Sequence, residues 1–244
     1  MIKAYAANSV PEIPVRVRKK QNDWEYVNSS DQGKATFERC IENPWVADKL
    51  SQIQDIHGKT LFDFGCNRAK YVIDLKNQFQ LRTYGIDAKA EGREYVDRFF
   101  HGVYNNRLAN SIKESGPYHV ATAISAVEHA GHDMHPNAEA ITAYQYKICV
   151  DMMSCSNYFF LTVPFGRRPG WAKDKSRTNL YQFDTCLLDS LKAEALRQSK
   201  DYLEEIYMLR EGLWVQSNRD EAGSARYRGN KLGASAIALI SFWG

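Results

Sequence analysis

The spacing of apolar runs between residues 60 and 166 limits the fold more than any other feature. Thr60-Leu61-Phe62-Asp63-Phe64 is short, apolar and stopped by Gly65. Thr83 to Asp87, Tyr118 to Ile124 and Asn157 to Val163 repeat the pattern, the last closed by Pro164. Between them, Lys70 to Gln78 carries Val72, Ile73 and Leu75 at helical spacing, and 136–153 carries Ile141, Tyr144, Ile148 and Met152. Apolar strands alternating with amphipathic helices predict an α/β fold, a mostly parallel sheet with helices on both faces. In such sheets ligands bind outside the carboxyl ends of the strands, near the point where strand order reverses.

The flanks extend this frame. Residues 33–56 read as helical, with Pro44 at a helix start and Val46, Leu50 and Ile53 on one face. Pro136 suits a first helical turn, and Asp184 suits the cap of a helix that buries Leu187, Leu188, Leu191 and Ala195. Two late strands are expected around 203–209 and 234–242. Residues 1–23 are polar and punctuated by Pro11 and Pro14, so they read as an arm that is loosely ordered or laid over the body. The expected division is 1–56 as an arm with helices, a cover or lid in which Trp24-Glu25-Tyr26 could fold over a ligand, and 57–244 as the main domain.

Composition excludes several classes. A chain of 244 residues with 44% hydrophobic content can build a full core and is not disordered. A net charge of +3 offers no broad basic footprint for nucleic acid. The compact basic clusters, Arg16, Arg18, Lys19, Lys20 and Arg167, Arg168, read as solvated loops. Charge-free apolar stretches such as Leu232 to Trp243 are shorter than the ~20 residues of a membrane-crossing helix, and the N-terminus carries no signal-peptide pattern. Five cysteines, an odd number without a C-x-x-C pair, point to reduced thiols in the cytoplasm and away from a disulfide framework.

The strand ends carry the chemistry. The first runs into Gly65-Cys66-Asn67-Arg68-Ala69, small residues that let a ligand approach the following helix closely. The second ends at Asp87, a carboxylate suited to gripping a ribose diol. The strand ending at Ile124 runs into Ser125-Ala126-Val127-Glu128-His129, and the one ending at Val163 into Pro164-Phe165-Gly166.

In LFDFGCNRAK (61–70), TYGIDAK (83–89), YHVATAISAVEHAG (118–131) and YFFLTVPFG (158–166), the chain resembles class I S-adenosylmethionine-dependent methyltransferases. The resemblance spans about residues 58–166, and YQFD (181–184) and the late strands suit the family's closing antiparallel hairpin. It implies a Rossmann-like fold and S-adenosyl-L-methionine as cofactor. Asp63, Gly65, Cys66 and Asn67 would line the methionine end, Asp87 with Ala88 would hold the ribose, and Ser125 and Ala126 would lie beside the sulfonium. Two departures stand out. Asn67 replaces the second glycine of the usual turn, and Val103 lies where many members carry an acid for the adenine amine. Either Asn105 or backbone groups serve there, or affinity is weak. A nicotinamide enzyme would need G-x-G-x-x-G after the first strand, which is missing.

The ISxxEHxG and TVPFG pattern is most similar to bacterial members that methylate sugars and other small molecules. The expected acceptor is therefore a sugar or nucleotide-sugar hydroxyl in polysaccharide or natural-product biosynthesis. His129 is the candidate base, since imidazole titrates near neutral pH, or else a histidine that caps the loop or contacts the cofactor without moving protons. Glu128 reads as an orienting or structural carboxylate, and Glu128, His132, Arg167 and Tyr181 would border the acceptor. Arg167 and Arg168 beside Trp171 and Lys173 suit a phosphate-bearing acceptor or form an exposed basic loop. Asp184 could border the acceptor too, though capping alone explains it. Cys66 reads as turn packing rather than as a nucleophile. The cluster His129, His132, Asp133, His135 matches no defensible metal signature, so no metal is expected. Alternatives are an N-methyltransferase on a small metabolite and a non-catalytic binding module of the same fold. Oligomeric state stays open, a homo-oligomer included.

Overall fold

The computed structural model describes residues 15–20, 23–27, 38–67, 70–135, 137–166, 171–173, 179–210, 213–225 and 234–244. Its centre is one eight-stranded mixed sheet. The strands are β3 (Thr60–Phe64), β4 (Arg82–Asp87), β5 (Arg98–His101), β6 (Tyr118–Ile124), β7 (Ser156–Pro164), β10 (Asp201–Arg210), β11 (Leu213–Ser217) and β12 (Ala236–Trp243), in the order β11-β10-β12-β7-β6-β3-β4-β5. From β7 to β5 every pairing is parallel, whereas β12 pairs antiparallel with both β7 and β10. Strand order turns back between β3 and β6, the switch point at which open α/β sheets bind ligands.

The period-2 alternation of side chains builds a core on each face. Phe62, Ala121, Ala123, Phe159, Leu161, Ala238 and Ile240 point to one face, covered by α3 (Asn106–Ser115), α4 (Ala138–Ser154) and α5 (Thr185–Arg197). Leu61, Val120, Ile124, Phe160, Ile237 and Leu239 point to the other, covered by α1 (Arg39–Ser51) and α2 (Lys70–Phe79). Their intervening neighbours Asp63, Thr122 and Thr162 therefore form a polar row on the α1/α2 face, next to the carboxyl ends of three adjacent strands.

The predicted Rossmann-like sheet and the antiparallel pair at its far end are present, with differences in detail. β10 and β12 are not consecutive: β11 intervenes and extends the edge beyond β10. β5 and β11 escape the apolar pattern because each pairs along only one edge and is short. Helix α3, mostly polar, likewise escapes it; it buries only a narrow strip, Ala109 and Ile112.

Pro44 does not start a helix; it lies inside α1, which begins at Arg39. The turn before it is fixed from outside. Glu38 accepts the Ala234 N–H at 2.6 Å, and Glu42 accepts the hydroxyls of Ser125 and Thr162 at 2.6 and 2.7 Å while pairing with Arg39. Anchored there, the helix extends upstream of the proline. Helix α4 takes its cap from Asn137, whose side chain accepts the Ala140 N–H at 2.9 Å; Pro136 lies outside the described residues. In the N-terminal arm, β1 (Val15–Lys20) and β2 (Asp23–Val27) form an antiparallel hairpin, and β8 (Trp171–Lys173) and β9 (Asn179–Tyr181) form a second.

Candidate active site

A cleft of about 250 Å³ opens at the carboxyl ends of the parallel strands. Its floor comes from β3 and β4 (Phe64, Gly65, Ile86, Asp87, Ala88), one wall from Gly102, Val103 and Tyr104 after β5, and the other from Ala126 and residues 129–134 after β6. Tyr144 of α4 closes the back.

Gly65 is required where it stands. Its φ is +79°, in the left-handed region, and a Cβ there would come 2.5 Å from the Ala126 Cβ. The β3 turn and the β6 loop thus meet backbone to side chain, a contact only glycine allows here. Asp87 is poised beside it. Its Oδ2 accepts the Asn67 N–H at 3.0 Å and its Oδ1 the Lys89 N–H at 2.7 Å. Each oxygen keeps a lone pair for a further donor, so the carboxylate is oriented and still able to grip a diol.

Other expected residues occupy distinct places. Ala88, Val103 and Ala126 line the cleft, and Val103 is 48% exposed. Asn67 contributes its backbone N–H to Asp87. Cys66 is fully buried and is not a lining residue; its Sγ packs against Gly85 and Gly92, and burial pushes its thiol pKa up. Asp63 also lies below the surface, accepting the Tyr71 hydroxyl and, at 2.6 Å, the Thr122 hydroxyl. Ser125 turns away from the cleft: φ is +39° and its Oγ donates to Glu42. Asn105 is committed to the cap of α3, where it accepts the Leu108 N–H at 3.0 Å, and donates to the Val103 carbonyl at 3.1 Å.

On the β6 side, His129 lines the cleft with its side chain 43% exposed, and Glu128 lies behind it, fully buried. His132 also lines the cleft, its Nε2 2.8 Å from the Glu128 carbonyl oxygen. His135 packs on Tyr144 with ring centroids 4.8 Å apart. Among the described residues, no group of three His, Cys, Asp or Glu is placed to hold a metal ion. Tyr181 is in β9, Trp171 and Lys173 are in β8, and Arg167, Arg168 and Ala69 lie outside the described residues.

Tyr104, Met134, Gly131 and Tyr144 line the cleft without having been singled out as site residues. Tyr104 is anchored by donating to Asp151 at 2.6 Å, and Asp151 is also paired with Lys113 and Lys147. Gly131, φ +89°, leaves room for the Tyr144 ring, which a Cβ would meet at 2.8 Å. Arg39 and Glu42 reach the end of β6 from α1, 83 residues or more away in sequence. No local signal could have shown that contact.

No protein-family model and no curated protein matches this chain. Solved structures do. A SAM dependent methyltransferase from Archaeoglobus fulgidus is 13% identical with a TM-score of 0.50, over 82% of this chain and 94% of that one. The 1,6-didemethyltoxoflavin-N1-methyltransferase of Burkholderia thailandensis, also 13% identical, has a TM-score of 0.49 over 83% of this chain and 76% of that one. At such identities the likeness speaks for the fold, and the Archaeoglobus structure carries it: this chain has the Rossmann-like methyltransferase fold.

Proposed function

We propose that this chain, built on the methyltransferase fold, transfers methyl groups from S-adenosyl-L-methionine to a small-molecule acceptor, in first place a sugar or nucleotide-sugar hydroxyl. The observation that carries the reading is Asp87, a carboxylate oriented by two backbone N–H groups at the floor of a cleft on the sheet's switch point. The residues fit the cofactor: Gly65 and Ala126 line the cleft where the methionine end would lie, Asp87 and Ala88 suit the ribose, and Val103 offers an apolar surface to the adenine. When bound, the cofactor supplies a methyl group already activated by its sulfonium. What remains for the protein is alignment of the acceptor and removal of its proton.

His129 is the base in this reading, with His132, Arg167 and Tyr181 on the acceptor side; Glu128, expected to border the acceptor, is instead fully buried behind His129 and does not line the cleft. The sugar acceptor is supported by the ISxxEHxG and TVPFG pattern and by the paired arginines 167 and 168. An N-methyltransferase acting on a small metabolite is the alternative reading. Residues 1–56 form the cover and 57–244 the catalytic domain. The thiols of Cys66, Cys149 and Cys155, all buried and unpaired with one another, suit the reducing cytoplasm.

Titration calorimetry with S-adenosylmethionine and S-adenosylhomocysteine tests the proposal. Wild type binds both, and Asp87→Ala binds at least about tenfold more weakly, since hydrogen bonds to a charged group contribute roughly 1.5–3 kcal/mol. No binding by wild type overturns the enzyme reading and leaves a non-catalytic module of the same fold.

A further inference from the structure

We propose that the groove between the edge strand β5 and helix α3 is a second binding site, one that takes a small molecule bearing a diphosphate. The inference stands on the groove's own residues and does not depend on what the cleft binds.

Strand β5 ends the sheet opposite β11, so its outer edge has no strand beside it. Side-chain alternation sets Arg98 and Phe100 on the face that α3 covers. A groove of about 580 Å³ runs there, with Arg98, Phe100 and His101 of β5 on one wall and Arg107, Leu108 and Ser111 of α3 on the other. Each wall thus contributes a guanidinium. No Asp or Glu lines the groove, and among the described residues neither arginine is paired with a carboxylate.

The donors are held in place. The Arg98 guanidinium lies over the Phe100 ring, 5.2 Å from its centroid, and Phe100 is itself buried. Such stacking steadies the planar group and leaves its N–H edge free to donate. The His101 ring lies nearly parallel to Phe99, with centroids 6.0 Å apart. Ser111 adds a hydroxyl from α3.

This donor set selects the ligand. One guanidinium fork satisfies the two oxygens of a carboxylate. A diphosphate presents more oxygens and more charge, enough to engage donors from both walls at once. The volume falls in the range of small-molecule pockets, roughly 300–1,000 Å³, so a group attached to the diphosphate also has room. A nucleic-acid strand fits less well. It calls for a basic track with stacking rings along it, whereas the net charge is only +3 and the arginines meet at one place.

The site is also set apart from the acceptor. Gly102 and Val103 line both the groove and the cleft, while His129 lies on the cleft's other wall. A ligand in the groove therefore sits beside the cleft and away from the candidate base.

Titration calorimetry of the full chain with inorganic phosphate, pyrophosphate and uridine diphosphate, at constant ionic strength, tests the proposal. Wild type should bind both diphosphates more tightly than inorganic phosphate. Arg98→Gln and Arg107→Gln should each weaken that binding by about tenfold or more, the size of a hydrogen bond to a charged group. Arg82→Gln, at an exposed position outside the groove, should bind as wild type does. Asp87→Ala should too, because Asp87 lines only the cleft. Uridine diphosphate binding more tightly than pyrophosphate identifies the ligand as a nucleotide, and equal affinities identify it as a free diphosphate. If Arg98→Gln does not fold, Arg107→Gln alone decides, since Arg107 is exposed. The proposal is overturned by absent wild-type binding at millimolar concentration, or by an equal loss in Arg82→Gln, which would mean diffuse charge. A loss in Asp87→Ala would place the ligand in the cleft, and tighter binding of a short RNA than of either diphosphate would make the partner a nucleic acid; each of these also overturns it.

Discussion

At the scale of single residues, Asp63 connects the sheet's polar row to the site. It is 1% exposed; Tyr71 and Thr122 donate to its Oδ1, while its Oδ2 has no hydrogen-bond partner among the described residues. Burial raises its pKa to about 7 against the pull of Thr122, Tyr71 and Arg39, and the nearby Asp87 adds to the rise. An acid raised by folding stabilises the fold in its neutral form. That contribution is complete below the unfolded value of about 4 and is lost as pH rises through about 7. Urea unfolding of wild type and Asp63→Asn between pH 4 and 7 measures it. The stability of wild type relative to the variant should fall on the order of 1 kcal/mol per pH unit across that window. A constant difference would mean that Asp63 ionises normally. Gly65 and Asp87 are legible in sequence because turn geometry and a strand-end acid are local matters. Tyr104 and Glu42 are not, because their places depend on contacts with remote elements.

At the scale of elements, helix starts are written in short polar side chains. Asn105, Asn137, Asp184 and Asn218 each accept the N–H three residues on. Asp184 accepts from Leu187 at 2.9 Å, and the helix it opens buries Leu187, Leu188, Leu191 and Ala195, as its spacing predicts. Asp184→Ala should lower unfolding stability by about 1 kcal/mol in urea and leave S-adenosylhomocysteine affinity unchanged. Weakened cofactor binding would show that Asp184 acts beyond its cap. Helix α1 teaches the opposite lesson. Its proline marks no boundary because Glu38 and Glu42 tie the preceding turn to distant backbone and hydroxyls. A local propensity gave way to tertiary anchoring.

At the scale of the molecule, α1 is also tied to the antiparallel half of the sheet. Glu205 of β10 pairs with Lys49 at 2.9 Å and accepts the Trp45 indole N–H at 2.9 Å, and both charged side chains are only 7% exposed. Tyr207 donates to its other oxygen at 3.2 Å. Removing one member of a buried ion pair strands charge in the interior. Glu205→Ala should therefore cost about 3–5 kcal/mol of unfolding stability. A loss under 1 kcal/mol would mean that the interior relaxes or admits water around Lys49.

The alternation of apolar strands and helices determined the fold class, because the burial of both faces of a parallel sheet leaves few other patterns. The glycine turn and Asp87 were likewise determined locally, by φ and by position at a strand end. The tertiary structure decided which acids are buried, where α1 begins, and that Ser125 faces Glu42 while His129 faces the cleft. Those outcomes depend on pairings between residues more than eighty positions apart, which no local pattern encodes.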